Sequence, residues 1–282
     1  MIGPKLVNRG EFTTLIEVVP PAGPDAEALL TDLASLDPLP VDGFSVATNP
    51  VAKPRMSAMA FCRLIQQHTR RPAILHCTTR DHNRLSLQGL LWGARALGIE
   101  TVLITTGDFV ALKDRDVTSD VRDADIFALL AMAREAGLYA GVVFDPFLET
   151  GGLNRAIERL ERKVQSGAQF VVTQPAYDQE GADLLAKATA PCGLPVVMGI
   201  LPLRTAKHAD FLHNKVSGIV VPESVRQSMH AAADALAQGN ADARAALGLA
   251  RERFTGACIM PPFDHYETLF EILGASSRGA KA

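Results

Sequence analysis

Glu17 interrupts an otherwise apolar run, Thr13-Thr14-Leu15-Ile16-Glu17-Val18-Val19. A carboxyl between Ile16 and Val18 is expected to be desolvated, its pKa raised into the range of a general acid. The competing use of such a group is an internal ion pair with a Lys or Arg. Asp108 follows Gly107 at the end of a second apolar run, Thr101-Val102-Leu103-Ile104. There it either faces the same site or caps a turn. In Ala73-Ile74-Leu75-His76-Cys77-Thr78-Thr79, His76 and Thr78 fall on one face, with Arg80 just beyond. Together they offer donors to a polar cofactor or a phosphate, although a hydrogen bond in the core would use His76 equally well. Gln174 ends Phe170-Val171-Val172-Thr173 with both a donor and an acceptor, which suits reading a heterocycle edge or capping a loop. Asn49 and Arg55 add possible contacts, with a turn before Pro50 as the plainer role for Asn49. Lys163 closes a helix, where a cation opposes the macrodipole without needing a ligand.

The elements that must position these residues repeat. Short β runs at Thr13–Val19, Gly43–Pro50, Ala73–Thr79, Thr101–Ile104, Tyr139–Phe144, Phe170–Gln174 and Pro195–Pro202 become polar at their carboxyl ends. Each is followed by a stretch with helical periodicity: Asp25 is placed to cap a helix through Leu36, Ser57 opens the next, and another ends at Gly98. Gly167 sits where a helix C-terminus wants positive φ, between the Glu158–Lys163 helix and the strand at Phe170. Residues 109–122 form a charged loop longer than a usual βα connection, before a helix at about 123–136. The eighth strand is either Gly218–Pro222 or Ala257–Pro262. The second fits the repeat better, because a helix at about 265–273 follows it and a helical region at 223–254 separates the two. About eight units of ~30 residues without a linker argue for one closed (β/α)8 TIM barrel over residues 1–282. A doubly wound open sheet fits less well, since no G-x-G-x-x-G follows any strand. The polar tail at 276–282 is expected to fray.

Composition narrows the partners. The chain has 282 residues, 48% of them hydrophobic, with 28 basic and 31 acidic residues giving a net charge of −3. Interspersed charge gives no nucleic-acid track and no polybasic membrane anchor, and points to small ligands. Cys62, Cys77, Cys192 and Cys258 are widely spaced among apolar neighbours, as expected of reduced core thiols rather than a zinc site. No stretch approaches the ~20 apolar residues of a membrane span and no secretory leader is visible, so a cytoplasmic protein is expected.

Ile16-Glu17-Val18-Val19-Pro20-Pro21, His76-Cys77-Thr78-Thr79-Arg80-Asp81, Thr106-Gly107-Asp108 and Glu161-Arg162-Lys163 through Thr173-Gln174-Pro175 together resemble the methylenetetrahydrofolate reductase family. Gly199-Ile200-Leu201-Pro202, Phe211-Leu212-His213-Asn214 and Ile259-Met260-Pro261-Pro262 extend the likeness over nearly the whole chain. The wording is most similar to the short bacterial branch, including the reductase half of homocysteine methyltransferase fusions.

The resemblance implies a barrel that holds FAD at the strand ends, where NADH or NADPH and a tetrahydrofolate derivative take turns. Glu17 then matches the general acid that protonates N10 of methylenetetrahydrofolate. Asp108 matches a carboxylate near flavin and pterin, and Gln174 the amide on the pterin edge, with Asn49 beside the substrate. His76, Thr78, Arg80, Gly107, Asp145 and Lys163 match flavin-side positions. A homo-oligomer or a methyltransferase partner is compatible with the resemblance.

Two places depart from the family pattern. Gly107-Asp108 continues as Phe109-Val110-Ala111-Leu112 where relatives have a Pro, and Phe144-Asp145-Pro146 carries an acid where relatives in this branch often have Asn. An acid there is expected to weaken anion binding or shift a flavin potential. Two other readings compete: a family offshoot that binds a folate or C1 carrier without flavin chemistry, and an unrelated barrel lyase or aldolase. The latter needs a strand lysine for a Schiff base, and no strand run has one.

Overall fold

The computed structural model describes residues 2–7, 11–147 and 152–274. After a short helix α1 (Ile2–Val7) come eight strands: β1 (Thr13–Val18), β2 (Gly43–Val46), β3 (Ala73–Thr78), β4 (Thr101–Thr105), β5 (Tyr139–Phe144), β6 (Phe170–Pro175), β7 (Val196–Ile200) and β8 (Gly256–Ile259). They run parallel in chain order, and β8 closes the barrel by pairing with β1, Thr13 opposite Gly256 and Ile16 opposite Ile259. The second candidate for the eighth strand is therefore the true one. The surrounding helices are α2 (Glu27–Ser35), α3 (Ala58–Thr69), α4 (Arg84–Ala96), α5 (Ile126–Glu135), α6 (Gly152–Gln165), α7 (Gln179–Thr189), α8 (Ala206–Lys215), α9 (Glu223–Ala231), α10 (Ala235–Arg253) and α11 (Thr268–Leu273).

Alternation along each strand sorts the core into two layers. Ile16, Val18, Phe44, Val46, Leu75, Val102 and Ile104 face outward and pack with Leu33, Phe61, Ile65, Leu91 and Leu129 of the helices. Leu15, Ile74, Leu103, Phe170, Val172, Val197 and Cys258 face inward. Ile2 and Leu6, one turn apart on α1, join that inner cluster and close the barrel floor. The sequence reading did not anticipate this helix. Phe170 fits inside because position 141, on the neighbouring strand, is glycine: a Cβ there would collide with the Phe170 ring.

The helix starts follow local chemistry. Asn83, Asp125, Asp178, Thr205 and Asp234 each accept a first-turn backbone N–H. Asp25 accepts from Glu27 N at 3.1 Å, although the cap position itself is Ala26. One expectation needs correction: the helical region at 223–254 is two helices, α9 and α10, broken where Ala232 turns extended and Asp234 caps the second. A run of alanines carries no breaker signal, so the sequence hid that break. The helix expected from His265 begins at Thr268, after a 3₁₀ turn at Pro262–Asp264. Gly218–Pro222 is a turn and loop ending at Pro222, the N-cap of α9, rather than a strand, and its Val221 is buried against Leu203, Leu212 and Met229.

Cys62, Cys77 and Cys258 are buried and Cys192 half-buried, all as free thiols. Among the described residues no cluster of His, Cys, Asp or Glu is arranged to hold a metal, and no helix is long and apolar enough to cross a membrane. The tail at 276–282 lies outside the described residues.

Candidate active site

Glu17 lies on the inner face of β1, two residues beyond Leu15 and in register with Ser45 of β2. Burial alone pushes its carboxyl up to about 7; no cation or donor among the described residues opposes the shift. The internal ion pair that could have explained a carboxylate in a strand is therefore not what holds it. An acid without a partner, half protonated at neutral pH, is equipped to give up a proton.

His76, on the inner face of β3, meets Ser45 Oγ through Nε2 at 2.7 Å. Burial lowers its pKa to about 4, so the imidazole is neutral at physiological pH. Thr48 Oγ1 donates to the His76 carbonyl at 2.5 Å.

Arg80 is 2% exposed and points into the protein. Its Nε and one terminal nitrogen donate to the two Asp81 carboxylate oxygens at 2.5 and 2.8 Å. It also donates to the carbonyls of Asn49 and Asp108, both at 3.1 Å. Four of its five N–H donors are thus used inside the protein. Burial pushes the Asp81 carboxyl up, but hydrogen bonds from Arg80 and Asn49 outweigh it and hold the group below the usual carboxylate range. Asn49 completes the knot: its amide donates to Asp81 at 3.1 Å and its side-chain oxygen accepts from Arg55 N at 2.9 Å.

The loop after β2 is strained. Asn49, Val51 and Ala52 have φ of 43°, 49° and 54°, a region that a β-branched valine rarely enters. In this shape Val51 N donates to Asp108 Oδ2 at 2.6 Å, fixing that carboxylate at the rim. Gly107 makes the approach possible: with φ of 74°, its Cα packs on Thr78 and Arg80, where a Cβ would stand 3.2 and 3.1 Å from theirs.

Across the mouth, Gln174 donates its amide to Asp145 Oδ2 at 3.3 Å, and Asp145 Oδ1 accepts from Phe147 N at 2.8 Å. Gly218, at φ of 82°, lies so close that a Cβ would collide with Asp145 and come within 3.4 Å of the Gln174 amide. Lys163 reaches from α6 to the Val143 carbonyl at 2.6 Å.

Beside these residues, segments following β7 and β8 enclose a cleft of about 680 Å³ lined by Arg204, Thr205, Lys207, His208, Phe211, Leu236, Phe263 and His265. The His208 and Phe263 rings are 5.3 Å apart, tilted by 53°. Phe263 is 72% exposed and held at φ of 57°. Aromatic walls with cations on the rim suit a flat ring that carries carboxylates.

The predicted residues thus divide into connected groups. Asn49, Arg80, Gly107 and Asp108 form one hydrogen-bonded or packed unit, Asp145 and Gln174 another, while Glu17 and His76 share Ser45 as neighbour. Sequence reasoning missed Asp81, Ser45, Gly218 and the cleft. The adjacency of Arg80 and Asp81, and a serine inside Phe44-Ser45-Val46, were the available signals; Gly218 gave none.

A family model described as methylenetetrahydrofolate reductase matches residues 4–250. Methylenetetrahydrofolate reductase 2 of Schizosaccharomyces pombe is 25% identical over 190 residues, covering 60% of this chain and 29% of that protein. The chain therefore spans less than a third of that relative's length. A protein from Clostridium thermocellum that binds two copies of 5-methyl-5,6,7,8-tetrahydrofolic acid superposes with a TM-score of 0.71 at 14% identity, covering 98% of this chain and 99% of its own. A tryptophan synthase α-subunit from Pyrococcus furiosus superposes with a TM-score of 0.56, also at 14% identity, covering 93% and 98%. Likenesses at that identity speak for the barrel alone, whereas the family match runs through the segments that carry Glu17, Arg80, Asp108 and Gln174, and this chain belongs to the methylenetetrahydrofolate reductase family.

Proposed function

We propose that the chain reduces 5,10-methylenetetrahydrofolate to 5-methyltetrahydrofolate with NADH or NADPH and FAD, or runs the reverse oxidation. The observation that carries this reading is Glu17: an unpaired acid inside the barrel mouth whose carboxyl burial holds at about 7. Such a group can deliver a proton to N10 of the folate, opening the five-membered ring. In this reading Asp108 and Gln174 orient the pterin, the first held by Val51 N and the second by Asp145. The cleft at Phe211 and Phe263, with Arg204 and Lys207 on its rim, suits the benzoyl ring and glutamate carboxylates.

The residues suit FAD in part. Lys163 offers a cation to an anionic phosphate chain, whereas the buried Thr78 hydroxyl donates to Asp81 at 3.3 Å; Asp145 already accepts from Gln174 and Phe147, which tempers its charge. Arg80 is committed internally, so its role is to shape the loops around the cofactor rather than to hold a phosphate. When bound, FAD supplies the hydride chemistry.

Glu17→Gln tests the reading. It should leave NAD(P)H oxidation by an artificial acceptor intact and lower folate reduction by at least ~10²-fold, because only the folate half-reaction uses the proton. Equal loss of both halves would return Glu17 to a structural role. The internal commitment of Arg80 also favours a second reading, an offshoot that binds a folate or C1 carrier without flavin chemistry, as a methyltransferase partner. A purified protein that carries no flavin and takes up none on titration would select it.

A further inference from the structure

Ser45 is the lateral neighbour of Glu17: the two are register partners on adjacent strands, about 4.8 Å apart, and both side chains face the barrel interior. A serine beside a carboxyl carries a hydroxyl proton that it can donate to it. Instead its hydroxyl is 2.7 Å from His76 Nε2 and also within hydrogen-bonding reach of the Cys258 thiol on β8. Ser45 has one proton to give, and an imidazole nitrogen is a far stronger acceptor than a thiol sulfur. The serine proton is therefore assigned to His76 Nε2, which leaves the imidazole proton on Nδ1.

We propose that Ser45 and His76 are positioning residues for Glu17: His76 takes the serine proton and thereby withholds from Glu17 the one hydrogen bond its strand neighbour could give. The idea rests on Glu17 acting as the acid of the proposed reaction. A carboxylate that gains a donor becomes a stronger acid, so without His76 as acceptor Glu17 would ionise too readily to hold its proton for the substrate. Among the described residues the other titratable groups that sense Glu17 are the Cys258 thiol and the Tyr266 phenol, which Asp264 and Asp32 reach in turn. Burial pushes both pKa values up, so both groups keep their protons near pH 7, but the Tyr266 hydroxyl donates to Asp264 at 3.4 Å and the Cys258 thiol meets Ser45, so neither replaces the missing donor to Glu17.

The test reads the carboxyl directly and needs neither substrate nor cofactor. The protonated-carboxyl infrared band lost in Glu17→Gln is assigned to Glu17 and titrated in four proteins. His76→Phe, or His76→Leu should the larger ring not fold, frees the serine proton and should lower the midpoint by about one unit or more. Ser45→Ala alone should leave the midpoint in place, because the serine was not donating to Glu17. The double variant Ser45→Ala/His76→Phe should return to the wild-type midpoint. A raised midpoint in Ser45→Ala, an unchanged one in both His76 variants, or a double variant as acidic as His76→Phe would overturn the proposal. If the titrations behave as described while Glu17→Gln still reduces the folate, the functional reading fails and the positioning role stands.

Discussion

Arg80 grips Asp81, its neighbour in sequence, through two hydrogen bonds of 2.5 and 2.8 Å, and with the rest of its guanidinium binds the carbonyls of Asn49 and Asp108. One buried side chain at the end of β3 thus ties the loops after β2 and β4 to its own strand. The rim carboxylate of Asp108 keeps its place because both loops that define it are held by the same planar fork.

Removing that fork should be costly. Arg80→Ala leaves Asp81 partly buried without its cation and opens the Asn49 and Asp108 carbonyls, so a loss of about 3 kcal/mol or more is expected in urea unfolding. Arg80→Lys keeps the charge but not the bidentate geometry and should recover only part of it. If Arg80→Ala unfolds at the wild-type midpoint, the knot contributes nothing to stability.

Glu17 and His76 should leave opposite marks on stability against pH. The Glu17 carboxyl is raised in the folded state, from 4.5 to about 7, so its contribution is full below pH 4.5 and is lost as pH rises through 7. His76 is lowered from 6.5 to about 4, so stability is lost as pH falls from 6.5 through 4. The two slopes oppose each other between pH 4.5 and 6.5. Glu17→Gln removes one of them: relative to wild type it should gain stability between pH 4.5 and 7, by an amount on the order of 3 kcal/mol at most. Urea midpoints at pH 4.5, 6 and 7.5 check this; a constant difference across the three would show that Glu17 titrates normally.

Gly218 should be intolerant of any side chain. Alanine there meets both a left-handed φ and the Asp145 carboxylate, so the loop must shift and carry Gln174 with it. On the proposed function, Gly218→Ala and Gln174→Ala should each raise the folate KM about 10-fold while leaving the NAD(P)H half-reaction nearly unchanged. Asp145→Asn keeps an acceptor for Gln174 and should raise it less. A Gly218→Ala protein with wild-type folate kinetics would detach this loop from the site.

The rim of the cleft lined by Phe211 and Phe263 offers a charge test. Replacing Arg204 and Lys207 by Gln should weaken a folate with several glutamates more than one with a single glutamate, and the difference should shrink as salt rises. Equal effects on both ligands would place the glutamates elsewhere.

The barrel and the strand ends that carry its polar residues were legible in the residue pattern alone. Short apolar runs that turn polar at one end, each followed by a helical stretch, leave few other ways to bury so much apolar surface, and Glu17 between Ile16 and Val18 was conspicuous because local neighbours alone foretold its desolvation. What each polar group meets was settled by folding. Arg80 read as a donor for phosphate, yet folding turns it inward onto Asp81; His76 finds Ser45, which is 31 residues away; and Gly218, in the segment rejected as a strand, closes against Asp145. The plug formed by Ile2 and Leu6 was hidden for the same reason. Strand and helix periodicity are local properties of the chain, whereas the partner of a side chain at a barrel mouth is set by which strand ends the closure of the sheet brings side by side.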